Sequence, residues 1–276
     1  YEIADVRLPA PRLAQAGTLF TATDTNTEDE RNYFMPSLMV SGQGHVLLGF
    51  NTAGTNEYIN AAVAARWAND PLGTLQAPLL ITNSPAPYNP SGNSGNTQGR
   101  RRWGDYSFTS LDPCDDMTMW TIQQFADAVD SYGLRVAKIP APPPATPAIA
   151  DPPSIAAGQA SVNVTITGLP VGGAGFYDPG AAFNCRLRAT ISGGVTVNSL
   201  SYRDSTTVVL NVSTINAAAG AKSVTITNPD GQSATGDNLL TVIVPTANPA
   251  GITAPADLAK SGVKIIACAE GVPIQK

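Results

Sequence analysis

The side chains best suited to bind a ligand are concentrated just after position 100. Arg102, Trp103, Asp105 and Tyr106 lie almost side by side in the sequence. A guanidinium, a carboxylate and a phenol can hydrogen-bond a sugar or a carboxylate group, and an indole can stack on a sugar ring. These four residues are therefore a candidate ligand-binding site. The alternative is that Arg102 and Asp105 form an ion pair that only fixes the start of a strand.

A second group of oxygen ligands follows in the turn between two β-prone runs. Asp112, Asp115 and Asp116 bring three carboxylates together in the sequence, and carboxylate oxygens are ligands that Ca²⁺ prefers. The three residues are therefore a candidate Ca²⁺ site if backbone carbonyls complete the coordination shell. Aspartate is also common in turns, because its side chain bonds the nearby backbone, so a purely structural turn is the alternative.

Catalytic residues are harder to find than binding residues. The chain has one histidine, His45, which supports neither a Ser-His-Asp triad nor a zinc site, and we interpret it as a surface or turn residue. Glycoside hydrolysis needs two carboxylates that face the sugar across a cleft. Nothing in the spacing brings Asp105 together with Asp127 or Glu57. Catalysis by this chain alone is therefore not favoured.

The cysteine content allows one disulfide bond. Three cysteines, Cys114, Cys185 and Cys268, fit no metal-ligand spacing. We predict a bond between Cys185 and Cys268, because both fall in the C-terminal half while Cys114 belongs to a turn in the other half. Three unpaired thiols are the alternative.

Composition and charge favour an extracellular β-protein. The net charge is -5 and the isoelectric point is near 4.8, which argues against a nucleic-acid partner. Charged residues make up 13% of the 276 residues, where about a quarter is usual. No apolar run reaches the roughly 18 residues that span a bilayer. Because the sequence begins at Tyr1 without an initiator methionine or a signal peptide, we expect a secreted protein processed from a longer precursor.

The first half of the sequence repeats one design. A hairpin and a third strand, predicted within residues 33–67, return within residues 101–139. Repeated units of about four short strands are typical of β-propeller blades. Residues 1–139 are therefore predicted to form propeller-type blades in an incomplete ring. The alignment matches Ser41–Gly44 with Asp112–Asp116, His45–Phe50 with Met117–Ile122, and Ile59–Arg66 with Leu134–Ile139.

The second half is predicted to be a separate β-domain. Residues 140–153, PAPPPATPAIADPP, form a proline-rich spacer that favours an extended linker. Between 154 and 244, six or seven runs rich in Val, Thr and Ile alternate with turns, as expected for an immunoglobulin-like β-sandwich. Asn228–Gly231 is predicted to be a hairpin turn. The predicted runs are 161–167, 183–190, 194–199, 206–212, 222–227 and 239–244. The tail 245–276 contains a helix-capable piece, Ala254–Lys260, and one β-prone run, Val263–Ala269. The predicted fold class of the whole chain is all-β.

Two resemblances to known families are visible in these residues. The runs VNVTITG at 162–168 and SVTITNPDGQSA at 223–234 resemble IPT/TIG-type immunoglobulin-like domains, with the segment after Gly168 expanded to Leu169–Tyr177. The phrase RWGDYS at 102–107, followed by acidic residues and a tryptophan-bearing strand, resembles the C-terminal blades of secreted bacterial β-propellers of the sialidase-like or BNR-like kind. The second resemblance implies a propeller fold, in a group whose members mostly have no assigned activity.

These features together predict a secreted, non-catalytic binding or structural module that recognises a glycan or a protein. Two alternatives stay open: the C-terminal part of a propeller-type glycoside hydrolase, and a subunit of a self-assembling extracellular structure. Because two blades leave strand edges uncovered, the expected partner is the missing N-terminal portion of the precursor or copies of the chain itself. We expect an apolar interface along the outer strands of residues 1–70.

Overall fold

The computed structural model describes residues 2–3, 13–20, 30–90, 102–104 and 107–244. Every regular element among these residues is a β-strand, which confirms the all-β prediction. The strands form five sheets. The smallest is the antiparallel pair of β1 (Glu2–Ile3) and β2 (Leu13–Gln15).

Two antiparallel sheets in the N-terminal half correspond to the two units of the sequence repeat. The first contains, in spatial order, β3 (Arg31–Val40), β4 (Val46–Gly54), β5 (Glu57–Arg66) and β6 (Leu79–Leu80). The second contains, in the same order, β7 (Phe108–Leu111), β8 (Met119–Ala128) and β9 (Ser131–Ile139). Each sheet has the hairpin and third strand predicted from the sequence. Within the described residues, only the first sheet has a fourth strand.

The two sheets pack face to face through equivalent faces. Leu47 and Gly49 of β4 point towards β8, and their counterparts in the repeat, Met119 and Thr121, point back. Leu47, Val63 and Met119 form the buried cluster between the sheets. A Cβ on Gly49 would overlap the Thr121 hydroxyl, so glycine is required for this close approach. The N-terminal half therefore has a buried hydrophobic cluster between its own two sheets.

The C-terminal half is a β-sandwich of two four-stranded sheets. The first sheet has the order β10 (Thr146–Asp151), β12 (Val162–Leu169), β15 (Thr207–Ser213), β14 (Thr196–Asp204). The second has the order β11 (Ser154–Ala156), β17 (Ser233–Ile243), β16 (Gly220–Thr227), β13 (Arg188–Ile191). Alternate side chains from both sheets, such as Val164, Ile166, Leu210, Ile226 and Leu240, are buried in one core. The strand order corresponds to the two-sheet arrangement of immunoglobulin-like domains.

The start of this sandwich differs from the sequence prediction. β10 lies inside the stretch 140–153 that we expected to be a spacer. An edge strand tolerates a proline because one of its sides needs no N–H donors, and Pro147 lies on such a strand. The connector is therefore confined to residues 140–145, and it is fixed by two hydrogen bonds from sandwich residues to its carbonyl groups (2.6 and 3.2 Å).

Other sandwich elements lie close to their predicted positions, with two exceptions, the strand expected at 183–190 and the start of β17. The Asn228–Gly231 turn joins β16 to β17, with Gly231 N–H bonded to the Asn228 carbonyl (3.0 Å), as predicted. The strand expected at 183–190 is shortened to β13, because Cys185 and its neighbours make contacts with the N-terminal half instead. The tail 245–276, with its predicted helix and β-run, lies outside the described residues. Within the described ranges, no helix is long and apolar enough to cross a membrane.

Candidate functional site

The sandwich meets the N-terminal half at two equivalent turns of the repeat. The 41–45 turn joins β3 to β4, and the 112–118 turn joins β7 to β8. Gly42 N–H donates to the Asp116 carbonyl (3.0 Å), so the two turns contact each other. From the sandwich, the Tyr177 hydroxyl donates to Asp116 Oδ2 (2.6 Å). A Cβ on Gly42 would overlap both the Tyr177 hydroxyl and this carboxylate. The two turns together form the surface against which the sandwich packs.

Each carboxylate of the proposed calcium turn has its own hydrogen-bond donors. Asp112 Oδ1 accepts from the Cys114 N–H (2.9 Å). Asp115 accepts from the Thr118 N–H (2.8 Å) and the Thr118 hydroxyl (2.7 Å), and Asp116 accepts from the tyrosine hydroxyl named above. No group of three or more His, Cys, Asp or Glu suited to a metal ion occurs within the described residues. The observed contacts are those of a structural turn, and calcium binding stays a prediction.

The disulfide bond joins Cys114 to Cys185, so the predicted pairing of Cys185 with Cys268 is wrong. That prediction assumed that cysteines in different halves lie far apart. Because the sandwich packs directly on the 112–118 turn, the two residues approach to a Cα–Cα distance of 5.1 Å although 71 positions separate them. The Cys185 N–H also donates to the Cys114 carbonyl (3.0 Å). The junction is therefore fixed by a covalent bond.

A loop of the sandwich, residues 170–177, covers the indole of Trp67 in the first unit. Gly172 and Gly173 both have positive φ (56° and 78°), and a Cβ on Gly173 would lie 2.8 Å from Trp67 Cγ. Glycine permits both this backbone conformation and this approach. The buried side-chain amide of Asn228 bonds the loop backbone at two points (2.9 and 3.2 Å), which fixes the loop in place.

A cleft of about 430 Å³ lies between the 41–45 turn, the residues after Trp67 and the 170–177 loop. Small-molecule sites typically measure about 300–1,000 Å³. None of the described residues that line it is Asp, Glu, Lys or Arg, so the polar groups they contribute are amides, hydroxyls, one imidazole and the backbone. The lining residues are Gly42, Gln43, His45, Ala68, Asn69, Pro170, Gly172, Gly173, Ala174, Gly175, Phe176, Tyr177, Tyr202 and Ser205.

The titratable side chains of the cleft are uncharged at neutral pH. Burial lowers the pKa of His45 below its usual value of 6.5, and the nearby Asp70 opposes this change. Burial raises the pKa of Tyr177 and of Tyr202, and neighbouring aspartates raise both further. The cleft therefore presents neutral hydrogen-bonding groups to a ligand.

His45 belongs to a turn, as predicted, but it is buried and not a surface residue. Its Nδ1 accepts a hydrogen bond from the Ala68 N–H (3.0 Å). A neutral imidazole has one acceptor and one donor nitrogen, so Nε2 carries the proton. His45 thus brings a hydrogen-bond donor to the cleft wall.

Two polar groups of the cleft have no hydrogen-bond partner within the described part of the chain. Gln43 Oε1 is buried without one, and the described residues donate nothing to, and accept nothing from, the Tyr202 hydroxyl. A buried acceptor without a donor costs about 1–3 kcal/mol.

Two of the ligand residues predicted from the sequence, Arg102 and Trp103, are described, and both lie away from the cleft. Trp103 Nε1 donates to Asn51 Oδ1 of β4 (2.9 Å), so its indole holds the two N-terminal units together. Arg102 is exposed beside it, while Asp105 and Tyr106 lie outside the described residues. Neither Arg102 nor Trp103 lines the cleft, and the role of the four residues as a ligand site stays a prediction.

The residues of the cleft carry no sequence motif, because they come from separate turns that only the domain junction brings together. Most are small or uncharged, and none forms a recognisable spacing with the others. One signal was present: the expanded segment Leu169–Tyr177 with its consecutive glycines. A longer loop at the end of a domain indicates that the loop contacts another part of the molecule. The sequence does not show which part it contacts.

Comparisons with known proteins place the chain in no family. No protein-family model and no curated protein matches the sequence. Among solved structures, the chain is similar to an endo-fucoidan hydrolase from glycoside hydrolase family 107, with 11% sequence identity and a TM-score of 0.22. The match covers 79% of this chain and 39% of that chain. A TM-score of this size does not show a common fold.

Proposed function

We propose that this chain is a non-catalytic extracellular binding module, and that the cleft at the domain junction binds a neutral sugar unit of a glycan. The observation that carries the proposal is the chemistry of the cleft: it has the volume of a small-molecule site and is lined by uncharged hydrogen-bonding groups. Neutral sugars present many hydroxyl groups and no charge. A neutral cleft suits them better than it suits a sialate, a sulfate or a phosphate, which need cationic partners.

Individual side chains support this class of ligand. Gln43 lines the cleft, and its side-chain amide is of the kind that hydrogen-bonds sugar hydroxyls. His45 and Tyr202 offer donors of their own, and the half-buried ring of Tyr202 can pack against the apolar face of a pyranose. Within the described residues the cleft lining contains no carboxylate, whereas glycoside hydrolysis needs two. The lining therefore supports binding in preference to hydrolysis.

The rigidity of the junction also supports a binding role. The disulfide between Cys114 and Cys185 crosses the boundary between the halves, and the cleft lies in the same junction. A cleft that is already formed loses little conformational entropy when a ligand enters. Because disulfides persist mainly in oxidising compartments, the bond also supports an extracellular location.

The proposal can be tested by NMR titration of the His45 imidazole resonance, which is unique because the chain has one histidine. The probes are methyl glycosides of glucose, galactose, mannose and fucose, with sialic acid and a sulfated monosaccharide as charged comparators. We expect saturable shifts with at least one neutral glycoside and none with the charged sugars. The substitutions Gln43→Ala and Tyr202→Phe should each weaken binding roughly three- to tenfold, as expected for one lost hydrogen bond.

Tyr132→Phe provides a matched control, since it makes the same chemical change on β9 and lies outside the cleft lining. It should leave the affinity unchanged. If no neutral glycoside shifts the resonance, or if only charged sugars do, the proposal is wrong. Equal effects of Tyr202→Phe and Tyr132→Phe would place the binding site elsewhere.

A further inference from the structure

The outer side of the second N-terminal sheet carries an exposed apolar surface. We call it the outer apolar face, formed by Phe108, Trp120, Ile122, Leu134 and Val136. Phe108 pairs with Ile122, and Ile122 with Val136, so these three lie side by side across all three strands. They are 62%, 36% and 57% exposed. Contiguous apolar surface of this kind usually contacts another segment or another molecule.

The first unit shows what covers the same face in this fold. There the chain itself supplies leucines from two extended segments, one before β3 and one after β5. These leucines pack on a buried cluster in which Phe50 corresponds to Ile122, and Ala62, the cross-strand partner of Phe50, corresponds to Val136. The buried residues are Phe50, Ala62 and Ala64, and the covering leucines are Leu19, Leu75 and Leu80.

Among the described residues, the second sheet also has no counterpart of the fourth strand of the first. In the first unit, residues 76–82 run antiparallel to β5: Gln76 N–H donates to the Ala65 carbonyl (2.7 Å), and Ile81 N–H donates to the Ala61 carbonyl (2.9 Å). No described strand pairs with the corresponding edge of β9. After β9 the chain passes into the connector towards the sandwich. The described residues directly after β9 therefore provide no equivalent of β6.

We propose that the C-terminal segment of the same chain covers the outer apolar face, with Val263–Ala269 adding beside β9 as β6 adds beside β5. An open strand edge next to an apolar face is the combination that accepts an added strand, because backbone hydrogen bonds and side-chain burial act together. The run VKIIACA is both apolar and β-prone. It follows the sandwich in sequence.

The segment is long enough to reach β9. β17 begins beside the connector, where Gln232 bonds the Ala141 carbonyl, and a strand of its 11 residues is about 35 Å long. Residues 245–262 lie between β17 and the run, and an extended chain of that length spans about 60 Å. The chain can therefore return along the sandwich and still reach the second N-terminal sheet.

Hydrogen exchange of the β9 backbone amides tests this proposal. The whole chain is compared with a chain that ends at Val244, which retains every described strand. We expect the free-edge amides of β9 to exchange about tenfold faster or more in the shortened chain, because strand pairing protects amides from solvent. Amides of β16, which lies between two strands of its sheet, should exchange equally in both chains and serve as the internal control.

Two variants make the test specific. A peptide of residues 261–272 added to the shortened chain should restore slow exchange in β9, and the same peptide with Ile265→Asp and Ile266→Asp should not. The full-length chain carrying these two substitutions should exchange as fast as the shortened chain, even if shortening disturbs the fold. Equal β9 exchange in all chains would overturn the proposal. Protection that grows with protein concentration, together with a doubled mass, would overturn the placement within one molecule and favour a second copy.

Discussion

His45 links the local chemistry of the cleft to the pH dependence of the whole fold. Its Nδ1 accepts a hydrogen bond from Ala68, and burial lowers its pKa below 6.5, with Asp70 opposing the change. The folded chain therefore binds a proton at this site less readily than the unfolded chain does. Protonation consequently favours unfolding.

We predict that the stabilising contribution of His45 is complete above pH 6.5 and is lost as the pH falls from 6.5 through the lowered pKa. Urea unfolding between pH 7.5 and 5.5 measures this loss, which is at most about 1.4 kcal/mol per pH unit for one group. In a His45→Gln variant, the free energy of unfolding should change less with pH between pH 7.5 and 5.5. An imidazole pKa at or above 6.5 in the folded chain, measured by NMR, would contradict the prediction.

Tyr177 has a different role at the same junction, since its hydroxyl donates to the half-buried Asp116 carboxylate (2.6 Å). We predict that Tyr177→Phe lowers the free energy of unfolding by about 1–2 kcal/mol, because a hydrogen bond to a charged group is lost and solvent replaces part of it. Tyr202→Phe is the control for stability, because the described residues give its hydroxyl no hydrogen bond to lose. Chemical denaturation of the three chains measures the difference, and equal stabilities would show that the contact contributes nothing.

The elements themselves were predictable wherever side-chain alternation continued over a whole strand. β12, β15 and β16 alternate buried and more exposed side chains and lie within a few positions of the predicted runs. β17 begins at Ser233, before the predicted Leu239, because its first residues are exposed hydroxyls that bond across to β16 (2.8 Å). Such a start has no apolar period, so the sequence pattern could not show it.

Contacts between elements that are far apart in the sequence were less predictable than the elements themselves. The cysteine assignment failed because it depended on which turn the sandwich packs against, and no residue pattern encodes that contact. The cleft was missed for the same reason. In contrast, the repeat alignment correctly indicated that β4 and β8 are equivalent strands, because the similarity lies within each unit and needs no knowledge of the junction.

The 112–116 turn permits a direct test at the scale of one element. Three carboxylates repel one another, but each already accepts hydrogen bonds from nearby groups. If calcium binds there, millimolar Ca²⁺ should raise the melting temperature relative to chelator, because a ligand of the folded state stabilises it. The Asp112→Asn variant should reduce that increase. An identical melting temperature with calcium and with chelator would leave the structural turn as the sole role.

At the scale of the whole molecule, the two equivalent turns of the repeat, the disulfide bond and the cleft all lie at the junction between the two halves. Both N-terminal units contribute a turn to the junction, and the second turn also holds the cysteine that bonds the sandwich. A cleft at such a junction depends on the relative position of the two halves. The disulfide between Cys114 and Cys185 should therefore affect ligand binding as well as stability.

The pairing and its effect can be tested with the three cysteines. Peptide mapping of the unreduced chain should identify one linkage, Cys114 to Cys185, and one free thiol at Cys268. The double variant Cys114→Ser, Cys185→Ser should lose about 4 kcal/mol of stability, the chain-entropy value for a loop of 71 residues. It should also weaken binding to the cleft, since the halves are then joined only by the connector and noncovalent contacts.

Cys268→Ser is the matched control, expected to retain the stability and the affinity of the parent chain. A linkage that includes Cys268, or a loss of stability in Cys268→Ser equal to that of the double variant, would contradict the observed pairing.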